Sequence, residues 1–495
     1  MRIVPTTSED FSNFKYVLSK LYKDIIFKKV VSVHCKEWDW DKGEYAKYTD
    51  ETISPQKIIN STAIRCYIFK KGRTDHFGHF DIRPFKLENV KNDVVCDAFL
   101  PDPHRLGSEK DEIFITCKKS YRADDFGHSV IKTVPYTLAD GVLAYCTHAT
   151  LWIIFRLFSY EFGKEYISLV DLATDLYRDE EGSVGTNTIP RVCEKYGYNY
   201  FLYDGKGKTE HYKKADDAIT KIKDKKCVSD EEIDTLKQVV DEHRSVFSSP
   251  KDALLTSNSL YAYVESEIPV YLLFDAEDLQ SEYGFGGTGT HSIVAIGHTM
   301  KNGELADFIV HDVSFAPFVK ISRKLVDEKL IDSIVILPSE IKIRYELARR
   351  RIIEWLLQFY ETGLFHESNK ILSKDELVKR RKDVIDKYFF RAFLMKSQRL
   401  KFWYTMNDYP EYFRDMIARA DFPKYIWTFE IKTREIPNNK CMGHIIIDAT
   451  SDKNGNTESA VLVNMPNYKM YYQNGERKTL PPQQENEFPL FRAMS

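Results

Sequence analysis

The sequence predicts an α+β protein in three parts, and three changes of texture along its 495 residues predict it. Short β-rich runs broken by turn residues give way near Asp140 to one long apolar helix. Strand signals return after a charged stretch, and helices then predominate before a mixed end. A chain of this length exceeds one hydrophobic core, so several domains are expected. The boundaries fall at residues 1–125, 126–338 and 339–495.

Residues 8–24, SEDFSNFKYVLSKLYKD, open with Ser and acidic residues and repeat apolar positions every three or four, the mark of an amphipathic helix. From Phe27 to about Tyr136 the runs VVSVHC, STAIRCYIF, DVVCDAF, EIFITCK and HSVIKTVPY alternate with Asp, Gly, Pro and Asn turns, which makes this region β-rich. The run DGVLAYCTHATLWIIFRLFSYEF is too long for a strand and has no breaker beyond Gly141, so a central helix is expected from about Asp140. SLVDLATDLYRD reads as a helix, and VGTNTIPRVCEKYGYNYFLYD as turn, helix and strand. Residues 205–250, dominated by Lys, Asp and Glu, read as a charged helical insertion. Strands follow at 268–275, 290–298, 306–314 and 317–321. Helices predominate from Ile341 to about Ala420, and YIWTFEIK, GHIIIDAT and SAVLVNM close the chain as strands.

Composition narrows the function classes. With 43% hydrophobic and 29% charged residues, including 30 Tyr and 31 Phe, the chain is globular rather than disordered. Its 71 basic and 74 acidic residues are interspersed and leave a net charge of −3, which argues against nucleic acid or an anionic membrane as an obligatory partner. The most apolar stretch, Val142 to Tyr160, contains His148 and Arg156, so it is expected to be buried in protein rather than lipid. The first residues, MRIVPTTSEDFSNF, lack the apolar core and cleavage site of a signal peptide, and a cytoplasmic location is expected. The 8 cysteines lie far apart without CxxC pairs, and in that compartment they are expected to be reduced and mostly buried.

One set of residues has the order that acyl-transfer chemistry requires. A cysteine nucleophile needs a thiolate, a base for its proton and a third group that fixes the base's tautomer. A helix N-terminus is a favourable place for the thiolate, because unpaired N–H groups and the helix dipole lower its pKa. Cys146 stands near the start of the central helix, His291 begins the strand HSIVAIGH after a glycine-rich turn, and Asp312 ends FIVHD, which would pair with the His strand across MKNGELAD.

These residues resemble the papain-like cysteine peptidase superfamily, especially its bacterial branch, such as the peptidase domains of bacteriocin-processing ABC transporters. The resemblance rests on Cys146-Thr-His-Ala-Thr-Leu-Trp152, Gly289-Thr-His291-Ser-Ile-Val-Ala-Ile-Gly297 and Ile309-Val-His-Asp312-Val-Ser, and covers residues 126–338. The separation of Cys146 from His291 falls within the roughly 130–150 residues usual between such a pair. The resemblance implies a papain-like core in which a nucleophile helix packs on an antiparallel sheet. It also implies a thiol hydrolase of peptide or isopeptide bonds with a polypeptide substrate or partner and no metal or organic cofactor. Two rival readings remain: a transglutaminase-like acyl transferase using the same three residues, and a catalytically silent papain-like scaffold that binds a partner protein. The chain departs from the family at the oxyanion donor, for no Gln lies between Gln56 and Gln238. Asp140 stands near that position, but an ionised carboxylate repels an oxyanion, and Asp140 also reads as a helix N-cap.

Other motifs are assigned to structure. His148 is expected to be packed or surface-lining, and His298 and His311 to be neighbours on the opposite strand face. Gly284 to Gly289 formally matches GxGxxG but precedes a strand, contrary to the dinucleotide fingerprint. Cys441 and His444 lack a second ligand pair and read as core, while Trp427 and Glu430 are assigned no role. Arg349, Arg350 and Arg351, with Lys379, Arg380, Arg381 and Lys382, read as solvated helix faces.

Overall fold

The structure, a computed structural model, describes residues 30–38, 63–70, 76–82, 95–100, 112–123, 129–139, 145–176, 188–205, 255–301, 303–362, 388–406, 409–433, 440–450, 460–465, 468–480 and 488–489. The expected helix at 8–24, the insertion beyond Gly205, Asp140 and the basic cluster at 379–382 lie outside these residues. The protein is α+β, with helices packed on separate antiparallel sheets. It divides into two compact units, one of Met1–Ser257 and Glu267–Ile336 and one of Asn258–Ser266 and Leu337–Ser495. Among the described residues no helix is long and apolar enough to cross a membrane.

In the first unit, β1 (Val30–Trp38), β2 (Ala63–Lys70), β3 (His76–Ile82), β4 (Val95–Phe99) and β8 (Pro135–Tyr136) form one sheet in that order, every pair antiparallel. β6 (Lys119–Ala123) and β7 (Ser129–Thr133) make a separate hairpin. The seven-stranded sheet that carries the site comprises β5 (Glu112–Phe114), β9 (Tyr198–Asp204), β10 (Val270–Asp275), β11 (Thr290–Lys301), β12 (Glu304–Asp312), β13 (Ala316–Ser322) and β14 (Asp332–Pro338). Its path runs β13-β12-β11-β10-β14-β9, with β5 joined to the far end of β11. At that junction Gly297 has to be glycine, since a Cβ there would stand 2.3 Å from the Phe114 carbonyl oxygen.

The long strand β11 is buried from His291 to Thr299, as its near-continuous apolar run requires when both faces are covered. Against β10 and β11 packs α1 (Cys146–Phe162), apolar on every side and buried along most of its length. Gly163, at φ 63°, ends it in the left-handed conformation that glycine adopts without cost. The helices α2 (Leu169–Asp175) and α3 (Thr188–Lys195) follow. After α4 (Ser257–Glu265), which belongs chiefly to the second unit, come α5 (Ala276–Tyr283) and α6 (Arg323–Lys329).

The second unit contains α7 (Tyr345–Thr362), β15 (Phe389–Lys396), α8 (Ser397–Met406), α9 (Glu411–Arg419) and β16 (Tyr425–Lys432). β17 (Lys440–Cys441), β18 (Gly443–Asp448), β19 (Ala460–Met465), β20 (Tyr468–Gln473), β21 (Glu476–Leu480) and β22 (Phe488–Pro489) complete it. A six-stranded antiparallel sheet, ordered β15-β16-β18-β19-β20-β21, holds α8 and α9 on one face through Leu400, Trp403, Tyr404, Phe413 and Met416. Trp427 packs with Tyr263 and Tyr345 and donates its indole N–H to the Ile343 carbonyl at 2.8 Å. One expectation fails on α7: Arg351 is buried rather than solvated. Charge alone misplaces it, because the aliphatic stem of an arginine packs as readily as an apolar side chain.

Candidate active site

Cys146 is the first residue of α1 and is half-buried. The helix starts here rather than near Asp140, and its N-cap is Tyr145, extended at φ −78° and ψ 170°. An unbroken apolar run carries no punctuation, so hydrophobicity overruns the true start. The boundary is held instead by His148, whose Nδ1 accepts the Tyr145 N–H at 3.2 Å, half of a capping box made with an imidazole. His148 is fully buried, and this bond places the proton of its neutral ring on Nε2. The thiol of Cys146 consequently sits where first-turn N–H groups are unpaired and the helix dipole favours negative charge.

His291 and Asp312 come from the hairpin β11–β12. Val294 pairs with His311, so the register brings Asp312 to the same sheet face as His291, one diagonal step away. His291 Nε2 meets Asp312 Oδ1 at 2.8 Å. That leaves Nδ1 for Cys146, and the two groups lie close enough to shift each other's pKa. The three side chains thus interact in one series, Asp312 with His291 and His291 with Cys146.

Asp312 is fully buried and heavily constrained. Its Oδ1 also accepts the Ser314 and Phe315 N–H groups at 2.9 and 3.1 Å, and its Oδ2 accepts the Tyr283 hydroxyl. Its backbone carbonyl takes the Tyr136 hydroxyl at 3.0 Å. Burial and then the negative charge of Asp312 hold both phenols above their ordinary range, so they remain donors. Phe285 lies flat on the His291 ring, centroids 4.2 Å apart and planes at 20°, and shields the His291 ring on that side.

Electrostatics separate Cys146 from Cys117, Cys193 and Cys441. Burial by itself would raise its thiol, but the hydrogen bond and charge of His291, with further hydrogen bonds from the Ser292 side chain and backbone, bring it down to about 7. Burial would lower His291, yet its hydrogen bonds to Asp312 and Cys146 and their charges lift it to about 9. The usual order of thiol and imidazole is inverted, and between these values the pair is thiolate and imidazolium. Burial pushes Cys117, Cys193 and Cys441 upward instead.

Two further contacts pin the start of α1. Thr147 Oγ1 meets the Tyr271 hydroxyl at 3.2 Å, and Thr150 Oγ1 donates to the Ser292 carbonyl at 3.3 Å. His298 stacks on Phe114, while His311 lies edge-on to Phe318, accepts its N–H at 3.0 Å and is held neutral by burial at about 3. Neither belongs to the series. The glycine-rich loop follows α5 and precedes β11, the reverse of a dinucleotide fingerprint, and its Phe285 is the residue that reaches the site.

Ser292, Tyr283, Tyr136, Tyr271 and Phe285 escape the sequence reading. Ser292 alone carried a local signal, its place beside His291. Among the described residues, the side chains spaced to hold a metal ion are Glu430, Cys441 and His444 in the second unit, not this series. No protein-family model matches the chain, and no curated protein matches it.

Proposed function

We propose that the chain is a cysteine hydrolase with a papain-like core that cleaves peptide or isopeptide bonds through an acyl-enzyme on Cys146. The observation that carries this reading is the His291–Asp312 hydrogen bond beside a helix-start Cys146, with the thiol lowered and the imidazole raised by each other's presence. The Cys146 thiolate attacks the carbonyl carbon, and the carbonyl π pair moves onto oxygen. The Cys146 N–H, which has no intrahelical partner at the helix start, donates to that oxyanion. His291 gives its Nδ1 proton to the leaving amine as the C–N bond breaks, leaving a thioester. It then takes a proton from water, whose oxygen attacks the thioester; the C–S bond breaks, releasing the acid and restoring the Cys146 thiolate beside protonated His291. Asp312 keeps the imidazole in register and stabilises its charged form.

A lowered thiol supports catalysis over a silent scaffold, in which Cys146 would titrate as a free thiol near 8.5. The test is to incubate the full chain with a proteome-derived peptide mixture and count new termini by mass spectrometry. The expected result is new termini with the wild type and none with Cys146→Ala or His291→Ala. Equal numbers in all three chains overturn the proposal. An added primary amine incorporated in place of water would make the protein a transferase on the same site.

A further inference from the structure

Across the six-stranded sheet of the second unit runs a row of polar residues, each opposite the next: Arg391 faces Glu430, Glu430 faces His444, His444 faces Asn464 and Asn464 faces Lys469. The row shares the sheet face covered by α8 and α9, and Glu430, His444, Asn464 and Lys469 are fully buried there. Placing a carboxylate, an imidazole and an amide under an aromatic cover is costly unless they are compensated. Tyr404, Tyr409 and Phe413 supply that cover around His444.

Cys441 is brought to the same point by a bend. Met442 N–H bonds the Ile431 carbonyl at 2.8 Å, and Gly443 passes so close to β19 that a Cβ would meet the Asn464 carbonyl oxygen at 2.4 Å. The result is Cys441 Sγ 3.3 Å from His444 Nε2, with a Glu430 carboxylate oxygen also inside a group whose atoms all lie within 4.8 Å of one another. Tetrahedral zinc with bonds of about 2.0–2.3 Å sets its ligand atoms roughly 3.4–3.7 Å apart, so closure by about 1 Å suffices. Arg391 holds Glu430 from behind at 3.4 Å, as outer partners orient metal-bound carboxylates. The Asn464 side chain has no hydrogen-bond partner among the described residues and stands beside His444.

We propose that Glu430, Cys441 and His444 bind a structural Zn2+ ion, with Asn464 beside the fourth ligand position. The mixed carboxylate, thiolate and imidazole set suits zinc rather than magnesium or calcium, and ion binding releases the Cys441 thiol proton to solvent. The site is separate from Cys146, and neither proposal depends on the other.

The test uses the full chain carrying Cys146→Ala, so that the other Cys, His and Asp series cannot bind the ion. Produced in zinc-supplemented medium, this chain is expected to retain about one zinc per molecule. Produced in cobalt medium, it is expected to show thiolate-to-cobalt absorption that a further Cys441→Ser removes. Where that substitution prevents folding, the unsubstituted site decides: stripping with a strong chelator lowers the midpoint of thermal unfolding by several degrees, and Zn2+ but not Mg2+ restores it. Zinc below about one tenth per molecule, an unchanged midpoint on stripping, or metal retained in full by folded Cys441→Ser protein overturns the assignment.

Discussion

Removing His291 tests the electrostatics of the site most sharply. At pH 7 a thiol with a pKa of about 7 is half ionised. In His291→Ala the hydrogen bond and charge of His291 are gone and only the Ser292 hydrogen bonds still oppose burial, so Cys146 rises toward the ordinary 9.0. The thiolate fraction at pH 7 then drops toward about 1%, a loss of up to about 50-fold. A more basic thiolate is intrinsically more nucleophilic, with a Brønsted coefficient of about 0.4–0.5, which returns roughly 8-fold. The net expectation is a fall of up to about 6-fold in the rate of exchange with a small disulfide at pH 7, and a midpoint moved from about 7 toward 9. Peptide-resolved mass spectrometry reads Cys146 apart from the other cysteines. A midpoint that stays near 7 in the variant refutes the assignment of the shift to His291.

Turnover in the wild type should rise with pH through about 7, as Cys146 loses its proton, and fall through about 9, as His291 loses the proton it gives to the leaving amine; a single limb contradicts the ion pair. Tyr283→Phe removes one donor to Asp312 and should cut turnover by about 10- to 100-fold with little change in KM, since a hydrogen bond to a charged group contributes about 1.5–3 kcal/mol; steady-state kinetics checks it. Phe285→Ala uncovers one face of the His291 ring and is expected to lower the upper pH limb, as water weakens the His291–Asp312 pair; a limb left near 9 counts against shielding. Gly297→Ala should destabilise the first unit by about 1–3 kcal/mol in denaturant unfolding, because its methyl group meets the Phe114 carbonyl.

The strands of the first unit were the legible part, whereas β15 (Phe389–Lys396) forms inside a stretch expected to be helical, because its apolar run FFRAFLM follows a charged helical pattern without a break. The runs at 290–298 and 306–314 have the apolar content and bounding Gly and Asp of strands, and they fold as β11 and β12 with His291 and Asp312 on one face. The start of α1 was not legible, because the apolar run continues upstream and the capping group is a histidine inside the helix. The aromatic supports of the site were hidden for another reason. In a chain with 30 Tyr and 31 Phe, type alone marks no position, and Tyr136 reaches Asp312 from a strand far away in sequence. Glu430 gained its meaning only from pairing: its neighbours Arg391 and His444 are distant along the chain and adjacent across the ladder. Such long-range register is fixed by the whole sheet rather than by any local pattern.

The proposed mechanism requires a covalent acyl intermediate on Cys146. Mixing the full chain with an activated peptide ester and quenching in acid within one turnover allows the intact mass and the modified residue to be read together. The account predicts an adduct of the acyl mass on Cys146 that decays by hydrolysis, and that forms much more slowly in His291→Ala. Unmodified Cys146, or an adduct carried by another cysteine, contradicts it.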